Sequence, residues 1–263
     1  MYIKSNILRS PHAFSTRQGG VSRHSHTSSL NLAFSRGDDD ETVLQNLAIF
    51  SKEVGFDKES IVSFPQIHSD RIFTVSHLDC GKGYYFRDDL EGGDGYVTNE
   101  RGVTLGIKTA DCVPILFEAE KAGSVVAIGA VHAGWRGTVS KIATKCVDRM
   151  VCEFDLDKKH IRASIGPCIH KCCYEVGSDL YDAVCRDLGE QLALRYVVPS
   201  STASGKYKCD LAGLNRELLL DCGLEDGNVE LVSECTCCQP QKFFSHRYSG
   251  GVRGTMLSVI FIK

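Results

Sequence analysis

The sequence of 263 residues has no apolar run close to the roughly 20 residues that a membrane-spanning helix needs. Residues 1–6 lack the apolar core of a secretory signal. These absences predict a cytoplasmic protein with no membrane partner. Basic runs are also short, and 30 Lys and Arg against 33 Asp and Glu give a net charge of -3. Because nucleic-acid binders usually carry a basic face, we expect no nucleic-acid partner.

Internal repeats, low-complexity tracts and Pro- or Ser-rich linkers are absent as well, and the chain has only six prolines. Hydrophobic residues make up 43% and charged residues 24%, which is close to the average for soluble globular domains. A chain of this length can bury about three quarters of the surface that its unfolded form exposes. We therefore predict that residues 1–263 form a single catalytic domain.

Cysteine, in contrast, is abundant, and the 13 cysteines cannot all pair within one chain because their number is odd. In a reducing cytosol they are expected to be thiols or metal ligands rather than disulfides. Adjacent cysteines are poor chelators when their side chains diverge, so we expect buried or surface thiols, not a structural zinc site, in the two local clusters. These clusters are Cys168, Cys172 and Cys173, and Cys235, Cys237 and Cys238.

Hydrophobic periodicity predicts a mixture of helices and strands. Helical spacing occurs in segments 40–54, 138–154, 178–188 and 211–219. Short β-branched runs predict strands at 71–76, 102–108, 124–131, 161–165, 229–232 and 255–262. The strands and helices do not alternate strictly, so the pattern favours a layered α/β or α+β sheet over a barrel.

Two glycine-containing loops each carry an arginine. Residues 15–22 place Arg17 beside two glycines, and residues 132–137 place Arg136 between a predicted strand and a predicted helix. Glycines let backbone N–H groups approach an anion closely, and a helix N-terminus favours negative charge. Both loops are therefore candidates for a phosphate or carboxylate site, with a tight turn as the alternative. Neither matches the phosphate-loop or dinucleotide-binding patterns.

Three residues of metal-ligand type lie at the ends of predicted strands. Cys112 follows segment 102–108, His132 follows segment 124–131, and His68 lies in a proline-containing loop before another strand. One thiolate and two imidazoles suit zinc, and three protein ligands leave a fourth position for a water whose pKa falls to about 7. Spacing alone leaves open that the three residues are unrelated.

Several segments, taken together, carry a family resemblance. They are TRQGGVS at 16–22, NL at 31–32, QIHS at 66–69, GDG at 93–95, TADCVP at 109–114, AVHAGWRG at 130–137, IGPCI at 165–169, YEV at 174–176 and FFSHR at 243–247. In this order, over nearly the whole chain, the sequence resembles the laccase-domain, or polyphenol-oxidase-like, family. Members of that family include bacterial peptidoglycan-editing factors and the animal multifunctional purine enzyme.

The resemblance implies a single-domain α/β sandwich with a mixed sheet, similar to bacterial toxin deamidases. It implies a zinc ion held by His68, Cys112 and His132, which would also be the catalytic residues. The implied activities are phosphorolysis of adenosine, inosine and methylthioadenosine, and deamination of adenosine. Purine nucleosides and inorganic phosphate would then be the partners of a monomer or homodimer.

The same resemblance suggests roles for further residues. Arg17, Arg136 and Arg247 become candidates for holding phosphate, because a guanidinium group matches phosphate oxygens. Asp94 and Asp111 are candidates for proton shuttles or for support of the metal ligands, a solvated or capping carboxylate being the alternative. Residues 246–248 read His-Arg-Tyr where the family usually has Tyr-Arg-Arg, so only the arginine at that place matches.

The zinc enzyme competes with several different protein classes. A multicopper oxidase needs many paired histidines, and the nine histidines here include one such pair, His24 and His26, which excludes that class. A single blue-copper centre with Met256 as axial ligand is less favoured than zinc. Three classes without copper stay open: a metal-free Cys112–His132 hydrolase or deamidase, a hydrolase that edits cell-wall precursors, and a non-catalytic binding protein. His68 discriminates, because a metal site requires it and a Cys–His pair does not.

Overall fold

The computed structural model describes residues 1–201 and 204–263. Its helices are α1 (Asp40–Val54), α2 (Trp135–Val139), α3 (Ile142–Phe154), α4 (Ser178–Leu188), α5 (Glu190–Tyr196), α6 (Leu211–Asp221) and α7 (His246–Ser249). Within the described part of the chain, none of these helices is long and apolar enough to cross a membrane.

A five-stranded mixed sheet forms one layer. In spatial order its strands are β1 (Tyr2–Ile3), β2 (His12–Ser15), β14 (Met256–Phe261), β6 (Thr104–Thr109) and β3 (Ile61–Val62). The carboxy-terminal strand β14 pairs antiparallel with both β2 and β6, whereas β3 runs parallel to β6. The last strand of the chain is therefore central to this sheet.

A six-stranded mixed sheet forms the next layer. Its order is β13 (Val229–Leu231), β9 (Ile161–Ile165), β7 (Val113–Lys121), β8 (Ser124–Ala133), β5 (Gly95–Thr98) and β4 (Ile72–Thr74). The long hairpin of β7 and β8 is its centre. A small third sheet contains β10 (Glu175–Val176), β12 (Tyr207–Cys209) and β11 (Val197–Pro199).

The two large sheets pack face to face, and helices cover their outer faces. One buried apolar cluster joins Leu105 and Ile260 of the five-stranded sheet to Leu116 and Ile128 of the six-stranded sheet. On the outer side of the first sheet, α1 packs through its buried apolar residues. Helices α3, α4, α5 and α6 share the cluster on the outer side of the second sheet. This layering confirms the predicted α/β sandwich with mixed sheets.

Local sequence signals account for the elements that were predicted with correct bounds. Helix α1 begins after Asp39, whose carboxylate accepts a hydrogen bond from the Thr42 N–H, and it ends at Gly55, whose φ of 92° suits glycine. The bounds of α4 and β9 also agree with the predicted segments. Amphipathic periods and end signals therefore specify these elements locally.

Of the fourteen strands in the described residues, six correspond to predicted segments, and helices α5 and α7 have no predicted counterpart. Two of the differences lie close to the candidate metal ligands. The predicted helix 138–154 is in fact two helices, because Lys141 adopts a left-handed φ of 59° between α2 and α3. Strand β7 was missed altogether. Seven of its nine residues are buried, so it shows a continuous apolar run without the alternation that marks a half-exposed strand. This missed strand is the one that positions Cys112.

Candidate functional site

Strand register brings the three predicted metal ligands to one end of the six-stranded sheet. Cys112 occupies the turn between β6 and β7, and Pro114 at the start of β7 pairs with His132 near the end of β8. Strand β5 pairs with β8 on its other side, and β4 pairs with β5. The loop that carries His68 precedes β4 and therefore reaches the same end of the sheet.

The donor atoms of His68, Cys112 and His132, called here the triad, all lie within 4.8 Å of one another. The two imidazole rings stand almost perpendicular, with centroids 4.8 Å apart. Gly134 leaves the space that they need. A Cβ atom on Gly134 would lie 3.0 Å from Cδ2 of His68 and 3.5 Å from Sγ of Cys112.

Asp94 supports both histidines from behind. Its fully buried carboxylate accepts hydrogen bonds from Nδ1 of His132 at 2.8 Å and from the backbone N–H of His68 at 3.0 Å. Further donors are the N–H of Ile67 and the N–H and hydroxyl of Ser69. Although burial opposes its ionisation, the hydrogen bonds from His132 and Ser69 lower the pKa of Asp94. The carboxylate thus fixes the His132 tautomer and leaves Nε2 for a metal.

Asp111 supports Cys112 in a different way. It adopts a left-handed φ of 94° in the turn, and its carboxylate accepts hydrogen bonds from the Thr236 hydroxyl at 2.6 Å and from the Arg247 N–H at 2.7 Å. Two later loops therefore hold this turn in place. Asp94 and Asp111 are both engaged by several donors, which fits support of the ligands better than proton transfer to a substrate.

Cys112 and His132 form a charge pair. Burial opposes ionisation of the thiol, but His132 and then His68 outweigh it and lower the pKa of Cys112 to about 6. Burial also disfavours a charged His132, but Cys112 and Asp94 raise its pKa to about 9. The thiolate is the form of cysteine that binds metals and attacks electrophiles.

A cavity of about 440 Å³ opens beside the triad. This volume lies within the range of about 300–1,000 Å³ that is typical of small-molecule sites. Among the described residues that line it, none is acidic and four are cationic in addition to the histidines: Arg36, Arg87, Lys108 and Arg253. The triad cavity is therefore suited to an anionic ligand.

Two of these cations have only neutral hydrogen-bond acceptors in the described residues, and Arg253 donates through Nη1 to the Gly254 carbonyl and the Thr255 hydroxyl. Burial and the nearby Arg36 lower the pKa of Lys108 to about 8 and that of Arg253 to about 10. The Nε of Arg253 is buried without a hydrogen-bond partner among the described residues. Lys108 donates to the Ser63 carbonyl at 3.3 Å. A bound anion would supply the missing acceptor and favour both charged forms.

The three arginines predicted to hold phosphate lie elsewhere, and none of them lines the triad cavity as the described residues define it. The Arg17 guanidinium donates to the carbonyls of Ser28 and Pro240 and stacks on Phe244. Arg136 is exposed and stacks on its neighbour Trp135. Arg247 lines a separate cavity and donates to the Cys173 carbonyl. Glycine-rich context alone did not indicate where these side chains point.

The sulfur of Met256, the candidate axial ligand of a blue-copper centre, is engaged by the backbone. Its sulfur accepts a hydrogen bond from the Phe244 N–H at 3.0 Å, and its side chain packs with Ala110, Phe243 and Phe244. His24 and His26 stack on one another with centroids 5.8 Å apart, but they belong to no group of metal ligands in the described residues.

A larger cavity of about 650 Å³ lies between β4 and α3, away from the triad. Its charged side chains are already paired: Lys145 with Asp70, Arg149 with Glu153, Arg71 with Glu91, and Asp148 with Lys158. Because these charges pair with one another, the larger cavity shows no unpaired cation, among the described residues, comparable to Lys108 and Arg253 beside the triad.

Known proteins resemble this chain over nearly its whole length. A family model described as multi-copper polyphenol oxidoreductase laccase matches residues 11–263. Purine nucleoside phosphorylase YlmD of Bacillus subtilis is 36% identical over 251 residues, covering 95% of this chain and 87% of that protein. An adenosine deaminase from an unknown prokaryotic organism is 34% identical over 255 residues, covering 95% of this chain and 94% of that protein.

A solved structure shares the fold. The crystal structure of the hypothetical protein YfiH of Bacillus licheniformis superposes with a TM-score of 0.88 and 34% identity, covering 96% of this chain and 92% of that chain. The stretch matched by the family model includes every residue of the triad and of its cavity.

Proposed function

The chain belongs to the multi-copper polyphenol oxidoreductase laccase family, and from this premise we propose that it is a zinc-dependent purine nucleoside enzyme. Its reactions are phosphorolysis of adenosine, inosine and methylthioadenosine, and deamination of adenosine. Relatives named purine nucleoside phosphorylase and adenosine deaminase support the substrate class. The observation that carries the proposal is the convergence of the triad on a cavity lined by cations.

The donor set of the triad fits zinc. One thiolate and two imidazoles form a borderline-soft set, and Asp94 holds His132 so that Nε2 is free to bind. Zinc held there would supply Lewis acidity, which activates water and polarises substrate oxygens at neutral pH. A site that holds several copper ions would need more histidine ligands than the two in the triad. The other ligand group within the described residues consists of four cysteines and contains no histidine.

Lys108, Arg253 and Arg36 are the side chains that we assign to inorganic phosphate, in place of the three arginines suggested by the sequence. All three line the triad cavity, and Arg253 offers an unused buried donor. Guanidinium and ammonium groups form short, strong hydrogen bonds with phosphate oxygens. Phosphate bound here lies beside the triad, where it can attack the ribose carbon while the purine leaves. Apolar wall residues, Ala33, Phe34, Pro65 and Ala110, would contact the nucleoside.

One domain suffices for this chemistry, and we propose that residues 1–263 form it. The apolar cluster between the two large sheets takes residues from both, so neither sheet has a core of its own on that side. The triad and the cavity cations come from both sheets and from the loops that join them.

The product mixture from adenosine tests the proposed reactions. Purified protein is incubated with adenosine, with and without inorganic phosphate, and the products are separated. Adenine and ribose 1-phosphate that form only with phosphate identify phosphorolysis, and inosine identifies deamination. Absence of all these products would contradict the proposal and favour hydrolysis of a cell-wall precursor.

The low pKa of Cys112 beside His132 also suits a metal-free Cys–His hydrolase, which is the second candidate. His68 separates the two. A zinc enzyme loses activity when His68 is replaced by Ala or when a chelator removes the metal. A Cys–His enzyme keeps its activity in the presence of the chelator, and His68→Ala shifts its pH dependence upward without abolishing the activity, because His68 helps to lower the pKa of Cys112.

Lys108 should set the pH dependence of phosphate use. Its pKa of about 8 means that the ammonium is mostly charged at pH 7 and loses its charge as the pH rises above 8. We expect the KM for phosphate to rise over that interval. In Lys108→Arg, whose side chain stays charged, this rise should be largely absent.

Removal of the Lys108 side chain should lower phosphate-dependent activity more than deprotonation of its ammonium group does. We expect Lys108→Ala to lower phosphate-dependent kcat/KM by about 10- to 150-fold, the equivalent of a lost hydrogen bond to a charged group. Deamination, which uses no phosphate, should change less. Arg136→Ala is the matched control, since Arg136 does not line the cavity in the described structure. Equal losses of both reactions in Lys108→Ala would show that Lys108 does not hold phosphate.

A further inference from the structure

Four cysteines outside the triad form a second group of metal-ligand type. The Sγ atoms of Cys172, Cys173, Cys235 and Cys238, called here the thiol cluster, lie within 4.8 Å of one another. Cys172 and Cys173 lie in the turn before β10, and Cys235 and Cys238 lie in the loop after β13. The chain therefore brings together two segments that lie far apart in the sequence.

The expectation that adjacent cysteines diverge is wrong here. The sulfur atoms of Cys172 and Cys173 both approach Cys238, at 3.5 and 3.3 Å, and Cys172 is also 3.7 Å from Cys235. The backbone explains this convergence. The backbones of Cys168 and Cys235 pair in an isolated parallel β-bridge, so the two segments run side by side.

The sulfur separations of 3.3–3.7 Å are close to those of a tetrahedral tetrathiolate site. Zinc–sulfur bonds of about 2.3 Å in tetrahedral geometry place the sulfur atoms roughly 3.8 Å apart. Cys235 and Cys238 are also separated by two residues, a common spacing in structural zinc sites. All 13 cysteines are free thiols, so no disulfide removes a ligand.

The surroundings of the thiol cluster favour thiolate ligands. The His170 N–H points at Sγ of Cys235 at 3.4 Å, and Lys208 and Arg247 donate to the carbonyls of Cys172 and Cys173. Four thiolates around a divalent zinc ion carry a net charge of about −2, which these two cations offset.

We propose that the thiol cluster is a second, structural zinc site with four sulfur ligands. Its position explains what it does for the fold. Thr236 lies in the loop that carries Cys235 and Cys238, and Arg247 follows that loop. Both donate hydrogen bonds to the Asp111 carboxylate, and Arg247 also donates to the Cys173 carbonyl. A zinc ion in the thiol cluster cross-links the two segments that support the Asp111–Cys112 turn.

Zinc stoichiometry tests the second site. After incubation with zinc and removal of free metal, elemental analysis should find two equivalents in the wild type. We expect one equivalent in Cys112→Ala and one in Cys238→Ser. Cys152→Ser, which removes an exposed cysteine of α3 outside both groups, should retain two. Cys238→Ser should also unfold at a lower temperature than the wild type.

X-ray absorption of the Cys112→Ala protein identifies the atoms that bind the remaining zinc. This measurement stays valid even if the Cys238→Ser variant fails to fold. Zinc in that variant should have only sulfur neighbours, at about 2.3 Å. Thiol counting in the wild type should show that the cysteines of the thiol cluster are protected from alkylation until the metal is removed. A wild-type stoichiometry of one that falls to zero in Cys112→Ala, nitrogen ligands in Cys112→Ala, or protection that persists after chelation and is reversed by a reductant would overturn the proposal, the last indicating a disulfide.

Discussion

Cys112→Ala is expected to lose one equivalent of zinc and to slow both phosphorolysis and deamination by roughly a thousandfold or more. Cys112 supplies the one anionic ligand of the triad, and its pKa of about 6 keeps it ionised at neutral pH. Without it, two imidazoles remain, which hold zinc much more weakly. Lewis-acid stabilisation of several kcal/mol then disappears, and each 1.36 kcal/mol is about a tenfold change in rate.

Metal content and kcat/KM for adenosine, with and without phosphate, are the quantities to measure. Cys152→Ser is again the control, because it removes a thiol without touching the triad. Circular dichroism and thermal unfolding establish that Cys112→Ala is folded. A folded variant that keeps its full zinc content would refute the ligand assignment. Loss of zinc with activity intact would refute the role of the metal in catalysis.

Asp94→Asn is expected to weaken zinc binding by about 10- to 100-fold and to destabilise the protein by about 3–5 kcal/mol. The carboxylate is fully buried and accepts hydrogen bonds from His132 and from the loop that carries His68. An amide keeps the size of the side chain but replaces one acceptor by a donor. That donor faces N–H groups, so several buried hydrogen bonds are lost at once.

Chelator competition measures the zinc affinity, and urea unfolding of the zinc-free protein measures the free energy of unfolding. Asp155→Asn, at a side chain that is fully exposed, should leave both quantities almost unchanged. If Asp94→Asn destabilised the zinc-free protein but left zinc affinity intact, Asp94 would serve the fold alone and would not orient His132.

The longer helices, six of the fourteen strands in the described residues and the candidate metal ligands could be predicted from the sequence. The bounds of α1 follow from an amphipathic period, an Asp cap and a terminal glycine, all within one short stretch of chain. His68, Cys112 and His132 were identified from residue type, strand-end position and family motifs, and the structure brings them together. Signals of this kind are local or depend on the identity of the side chain, so they can be read without knowing which strands pair.

Only the tertiary structure decided which residues surround the triad. Lys108 and Arg253 are far apart in sequence, and they meet because β14 pairs antiparallel with β6, with Leu257 opposite Lys108. Arg17 lies in a glycine-rich loop, yet its guanidinium is used by backbone carbonyls of other loops. The convergence of Cys172 with Cys238 likewise depends on two segments meeting. Pairing register and loop packing are properties of residues distant in the chain, and no local pattern of charge, glycine or cysteine encodes them.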